Sequence, residues 1–213
     1  MSMAEGSPLP TWYARRTQLS SGLHLVSAHR GHEFDDGQTI HEGREALWST
    51  ELSENGMIRV LVSPAVVPKA PPTWFVSVDE FRENPPAANL VAYSTDDFPP
   101  GTVINKYQFG SLGLSSEEQA GAVRWLRDIG LVHQIFVAPQ WRRRDVGTLL
   151  IYAASAFHQA NGWPGRLHGD GRRTELGQQF VARLDHPERI TPLSETMPPM
   201  DPAVSPELPP EGS

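Results

Sequence analysis

The stretch VHQIFVAPQWRRRDVGTLLIYAASAF, Val132 to Phe157, decides how the chain is read. It opens on alternating apolar residues, breaks at Pro139, carries three adjacent arginines and continues as a long helical pattern. Val146, Leu149, Leu150, Ala153, Ala154 and Phe157 recur at helical spacing, and Asn161-Gly162 with Pro164 ends the run. The pattern predicts a strand over 131–137 whose loop feeds straight into a helix. The first amides of such a helix lack intrahelical acceptors and sit at the positive end of its dipole. Arg142, Arg143 and Arg144 add guanidinium donors suited to paired phosphate oxygens. Taken alone, the arginines read as a solvated loop; with the helix start behind them, they point to a diphosphate.

Upstream, β-branched and apolar runs alternate with proline-rich breaks. MIRVLVS (57–63), TWFVSV (73–78), NLVAYS (89–94) and TVINKYQF (102–109) read as strands separated by PKAPP, ENPPAA and DDFPPG. SSEEQAGAVRWLRDIG (115–130) reads as a helix. Ser115 and Glu118 form a capping-box pattern, Ala122, Val123, Leu126 and Ile129 make an apolar stripe, and Gly130 supplies the stop. GREALWSTEL (43–52) also reads as a short helix. Downstream, GRLHGD (165–170) is a short strand, Thr174 caps a last helix carrying Leu176, Phe180, Val181 and Leu184, and RITPLSETM (189–197) adds a final strand. The expected order is β-β-β-β-α-β-α-β-α-β, an α/β architecture with a mixed sheet.

At this point VAPQWRRRDVGTLL resembles the coenzyme-A-binding motif of the GNAT superfamily of N-acetyltransferases. That motif is Gln or Arg, two residues, Gly, one residue, then Gly or Ala. Arg142 takes its first position and Gly147 its last. Val137 and Pro139 match the preceding V-x-P, and Thr148-Leu149-Leu150 match the usual helix start. The likeness covers 131–184. It implies a mostly antiparallel central sheet flanked by helices with splayed central strands, here over 51–197. Residues 1–50 then form a polar N-terminal segment rich in His and Gly, and 198–213 a disordered, proline-rich acidic tail.

The resemblance also implies a chemistry. Acetyl-CoA, as cosubstrate, would lie where the strand before the loop splays from the next one. The backbone amide of Phe136 or Val137 would polarise the thioester carbonyl. Arg142, Arg143, Arg144, Asp145, Val146, Gly147 and Thr148 would hold the diphosphate. His133 and His168, one on each splayed strand, are the candidate bases for an acceptor amine, and Asp170 would orient His168 or receive the amine's charge. For each histidine the plainer role is a hydrogen-bonded structural one, and for Asp170 a turn residue between glycines. Arg172 and Arg173 read as solvated, or as a cap or phosphate contact. The acceptor is a small-molecule or protein amine.

Two positions depart from the motif. Asp145 replaces the middle glycine and adds bulk and negative charge where an anion should sit. Its carboxylate either caps the helix, closing the site, or turns away. Phe180 stands where the family often places a tyrosine that protonates the departing thiolate. The alternatives are a non-catalytic binding module of the same fold and a phage-type member that modifies nucleic acid.

Composition narrows the choice. Net charge is −7, which weighs against nucleic acid, yet 142–189 holds eight arginines against five acids. There is no cysteine, so thiolate metal sites and cysteine nucleophiles are excluded. No apolar run approaches the ~20 residues of a membrane span, and MSMAEGSPLPTWYARR lacks a signal-peptide stretch, so a cytoplasmic protein is expected. His24, His29, His32, Glu33, Asp35, Asp36 and His41 fall within 18 residues but match no metal-ligand spacing, and no metal is assigned. The six tryptophans read as packing residues, with Trp141 beside the loop as the one placed to cover a nucleotide.

Overall fold

A computed structural model describes residues 12–18, 24–30, 46–52, 57–183 and 190–197. Two antiparallel ladders make up most of it. β1 (Trp12–Gln18), β2 (His24–Arg30), β3 (Trp48–Leu52) and β4 (Ile58–Val62) pair in succession. β5 (Trp74–Glu80), β6 (Ala87–Tyr93), β8 (Gln119–Leu126) and β9 (Leu131–Val137) form the second. The short β7 (Thr102–Asn105) joins them, antiparallel to β4 and parallel to β5. The order is β1-β2-β3-β4-β7-β5-β6-β8-β9. The sheet therefore runs without a break across residue 50, where the sequence shows a change of composition.

One long helix organises this sheet. α2 (Val146–Ala160) touches β2, β3 and β4 at one end of the strand order and β6, β8 and β9 at the other, so the sheet curls around it. All six residues of its expected apolar stripe are buried. They pack against Trp48, Val60, Phe75, Leu90, Val123 and Trp125. Thr50, wholly buried, donates its hydroxyl to the Ala156 carbonyl at 3.3 Å. The opposite sheet face carries a smaller aromatic cluster, in which Trp74 stacks on Tyr93 with centroids 4.8 Å apart. Phe109 of α1 (Lys106–Gly110) packs against that cluster. The chain is thus a mixed α/β fold whose sheet is mostly antiparallel and flanked by helices.

Two predicted helices are strands. Over 115–130 only one turn of 3-10 helix forms, at Ser116–Glu118, before β8 begins. The capping pair is present, with Ser115 N–H donating to Glu118 Oε2 at 3.3 Å and Glu117 N–H to Ser115 Oγ at 3.1 Å. It closes the turn and nothing more. Period two then wins over the helical stripe. Gly121, Val123 and Trp125 are buried, while Arg124 between them pairs with Glu80 and Glu83. A Cβ at Gly121 would stand 2.5 Å from the Phe136 carbonyl and 3.0 Å from Leu150 Cδ1, so the strand position requires glycine. Likewise the expected helix in 43–52 ends as β3, with Trp48 and Thr50 alternately buried. In both cases pairing with neighbouring strands outweighs local propensity. GRLHGD shrinks to a single bridge, described below. The last helix is present as α3 (Glu175–Val181), with Thr174 Oγ1 accepting from Gly177 N–H at 3.1 Å. The final strand is present as β11 (Glu195–Met197), parallel to β10 (Arg172–Thr174). Leu184 and the tail from 198 lie outside the described residues.

His158 on α2 was not singled out by its sequence context. It is wholly buried, accepting from Trp125 Nε1 at Nδ1 (3.1 Å) and facing the Pro164 carbonyl through Nε2 (3.0 Å). These partners require the neutral ring with its proton on Nε2. Burial drives its pKa below the usual 6.5, against the opposing pull of the Pro164 and Gly165 carbonyls. A depressed value means that the unfolded chain takes up the proton first. His158 therefore adds stability above about pH 6.5 that is lost as pH falls towards its folded-state value. Urea unfolding at pH 7.5 and pH 5 is expected to show an acid-side loss that His158→Gln removes. An identical pH dependence in the variant would show that the loss arises elsewhere.

Candidate active site at the arginine loop

The site is built at the end of β9. The Ala138 amide donates to the Ala120 carbonyl at 3.0 Å, which fixes the phase of the β8–β9 ladder. Alternation then turns the backbone groups of Phe136 and Gln134 towards β8, and those of Ile135 and Val137 towards the open side. The Val137 carbonyl on that side accepts from Arg142 Nε at 3.1 Å. Among the described residues, no acceptor meets the Val137 or Ile135 amide. His133 is an extra residue in the register between Arg124/Gln134 and Trp125/Val132, and such a bulge bends the strand.

On its open side β9 meets the chain once. The Val132 amide donates to the His168 carbonyl at 2.8 Å and the His168 amide to Gly130 at 2.9 Å, giving one parallel bridge between Leu131 and His168. The segments then part. Asp170 Oδ1 accepts from the Arg172 amide at 3.0 Å and Gly171 takes φ +90°, turning the chain away before a second pair forms. β9 is accordingly the edge of the nine-stranded sheet, not one of the splayed central strands expected.

Beyond Pro139 a 3-10 turn leads into the arginines. Arg143 and Asp145 adopt left-handed backbone with φ of 61° and 55°. That region suits glycine and, among other residues, is most open to Asn and Asp. Asp145 thus takes a backbone conformation that glycine adopts most readily. It occupies the N-cap of α2 but makes no side-chain cap; its Oδ2 instead accepts the Lys69 amide at 3.0 Å, from 76 residues away. The first turn of α2 begins its ladder with Leu149 N–H to Asp145 O at 2.8 Å. The amides of Val146, Gly147 and Thr148 meet no acceptor among the described residues. Around them Arg142, Arg143 and Arg144 are exposed, with the Arg144 guanidinium 5.3 Å from the Trp141 ring centroid. The loop thus sets three exposed guanidinium groups beside the first amides of α2.

Phe180 of α3 lies over this helix start. A Cβ at Gly147 would come within 3.3 Å of its ring, so the last glycine of the motif also makes room for packing. The other sequence candidates are scattered around the same end of the fold. His133 is exposed on the bulge, and no hydrogen bond reaches its ring among the described residues. His168 is exposed, with Nδ1 3.2 Å from the Arg166 carbonyl. Asp170 is joined to Arg172 through Nε at 2.7 Å and Nη2 at 2.6 Å, not to His168. That hydrogen bond, first among the causes, holds the Asp170 carboxyl below its ordinary range. Arg173 spans Gln178 and the Thr191 carbonyl, tying β10 to the segment before β11. The structure brings the diphosphate-binding candidates together, leaves the two histidines on the parting strands, and gives Asp170 an arginine partner. Lys69, the residue the sequence did not suggest, enters only through Asp145.

A cleft of about 400 Å³ opens at the other end of α2, lined by Met57, Val103, Asn105, Phe157, Asn161 and Trp163 among others. The 15 residues of α2 put it about 22 Å from the arginines. Among the described residues no His, Asp and Glu cluster has metal-site geometry, and no helix is long and apolar enough to cross a membrane. His24 and His29 fall on β2, and the rest of the histidine-rich stretch to His41 lies outside the described residues. Comparison with known proteins adds no relative: no protein family, curated protein or solved structure matches this chain.

Proposed function

We propose that the chain is an acyl-CoA-dependent N-acyltransferase of the GNAT type, transferring an acetyl group to an amine by direct attack in a ternary complex. One observation carries the reading: the Asp145 carboxylate turns to the Lys69 amide and not to the α2 amides beside three arginines, at the end of a strand whose outer edge, past one bridge at Leu131, pairs with no further strand among the described residues. Diphosphate oxygens fit the first, and the amide-bearing arm of coenzyme A fits the second. The Val137 amide, facing the parting, is the donor for the thioester oxygen, which selects it over Phe136. The acceptor nitrogen attacks the carbonyl carbon, its proton passes to His133 or His168 directly or through water, and the C–S bond breaks. Phe180 has no proton to give, so the thiolate is protonated by solvent.

A non-catalytic binding module is the second reading, favoured by Phe180. The two separate on turnover. Acetyl-CoA at a hundredfold excess over its Kd is expected to raise Tm by about 5–10 °C. Thiol release with a panel of amines then marks the enzyme. Stabilisation without release selects the module, and no stabilisation by acetyl-CoA, free coenzyme A or longer acyl-CoAs removes both.

A further inference from the structure

We propose that the cleft at the C-terminal end of α2 binds a neutral sugar. The site lies at the opposite end of the helix from the arginines and does not rest on the function proposed above. Four carboxamides line it: Asn89, Asn105, Gln108 and Asn161. The backbone holds one end of each. Asn89 Nδ2 donates to the Val78 carbonyl at 3.3 Å, and Asn161 Nδ2 to the Phe157 carbonyl at 2.8 Å. Asn105 Oδ1 accepts the amides of Tyr107 and Gln108 at 3.0 and 2.9 Å, and Gln108 Oε1 accepts the Asn105 amide at 2.9 Å. A carbonyl only accepts and an amide N–H only donates, so these contacts fix the identity of the other end. It is an oxygen on Asn89 and Asn161 and a nitrogen on Asn105 and Gln108. None of these four ends has a hydrogen-bond partner among the described residues. The cleft lining thus carries two acceptors and two donors on side chains that are already ordered, which lowers the entropic cost of binding.

The rest of the lining selects the ligand class. Val103, Phe157 and Trp163 supply apolar surface, and the two rings meet at 71° with centroids 5.8 Å apart. Asp79 is the one charged residue among those lining the cleft, and both its oxygens accept from Arg127 Nη1, at 3.1 and 2.9 Å. Asp79 is thus already paired, and a neutral ligand fits better than an ion. A nucleobase read by Asn or Gln uses both ends of the amide at once, and here one end of each is taken. A hydroxyl donates to an amide oxygen and accepts from an amide nitrogen, so it serves either kind of free end. A ring rimmed with hydroxyls, with an apolar C–H face, therefore suits the four amide ends and the aromatic wall together. The volume of about 400 Å³ lies in the range of small-molecule pockets. A second cleft of about 380 Å³ shares Asp79 and is lined by Phe81 and Tyr107, which are 59% and 78% exposed. Those rings give the next unit of a longer glycan a surface to rest on.

The test is nitrogen–proton NMR of the full chain without coenzyme A, read at the side-chain amide signals of Asn105 and Gln108, with titration for affinity. The probes are the methyl glycosides of glucose, galactose and mannose at millimolar concentration, with glycerol and adenine as controls. At least one glycoside is expected to move those signals, and neither control is. Two variants separate a sugar from other neutral ligands. Asn105→Ser keeps a capping oxygen for α1 and deletes the free nitrogen; Asn105→Asp keeps the cap and turns the free donor into an acceptor. α1 buries no residue, so neither change endangers the fold. Asn105→Ser is expected to weaken binding about fivefold. Asn105→Asp is expected to stay within about twofold, because a hydroxyl can reverse its role. Four results overturn the proposal: no shift with any glycoside, a shift with adenine, unchanged binding in Asn105→Ser, or an equal loss in both variants, which marks a ligand with a fixed acceptor. For the glycoside that binds, a disaccharide held more tightly extends the sugar site into the second cleft, and equal binding confines it to the first.

Discussion

Leu150→Ala is expected to lose about 3–5 kcal/mol of unfolding free energy, the upper part of the range for a leucine removed from a rigid core. Leu150 is fully buried in the second turn of α2. Its Cδ1 presses on the glycine position of β8, so the void left by truncation is walled by backbone on one side and helix on the other. Neither wall can close on it without breaking the β8–β9 ladder. Leu176→Ala, on a helix residue that is 56% exposed, serves as the control and should change stability by less than about 0.5 kcal/mol. Urea unfolding measures both. A Leu150→Ala loss under about 1 kcal/mol would mean that α2 is not the hub around which the sheet curls.

Arg142→Glu is expected to weaken acyl-CoA binding about a hundredfold with the fold intact. The residue is exposed, so its removal leaves no cavity. Its guanidinium is held to the Val137 carbonyl and thereby joins the strand edge to the loop. Reversal removes a charge-assisted donor, worth about 1.5–3 kcal/mol, and places an anion beside the α2 amides. Arg142→Lys should fall between the two, because an ammonium cannot serve the carbonyl and a phosphate with the same fork. Calorimetry at two salt concentrations checks this, since losing a phosphate contact also flattens the salt dependence. Equal affinity for the natural chain and Arg142→Glu would move any ligand away from this loop.

Much of this site is local and was legible as such. The stripe from Val146 to Phe157, the proline that ends β9 and the Asn-Gly that stops α2 each act within a few residues, so spacing alone locates strand, loop and helix. The same holds for β4 to β6 and for the start of β7, which lie near prolines and glycines, whereas the second half of the stretch read as a strand over 102–109 is α1, started by the Asn105–Gln108 capping box. Reading failed where two periods compete. In 115–130 the helical stripe and the alternation of Gly121, Val123 and Trp125 coexist, and the arbiter is a pair of neighbouring strands distant in sequence. Gly121 was the available signal, since glycine inside a helical pattern weakens it and inside a strand marks a close approach.

The sequence by itself determined that an apolar helix starts behind three arginines, because helical period, proline and charge are properties of adjacent residues. Only the tertiary structure decided which way the Asp145 carboxylate turns, that β9 ends the strand order among the described residues, and that the Lys69 amide meets Asp145. A carboxylate at a helix start can serve its own helix or another part of the chain with similar energy. The nearer partner is written in the spacing, whereas the one taken here is brought within 3.0 Å by packing 76 residues away.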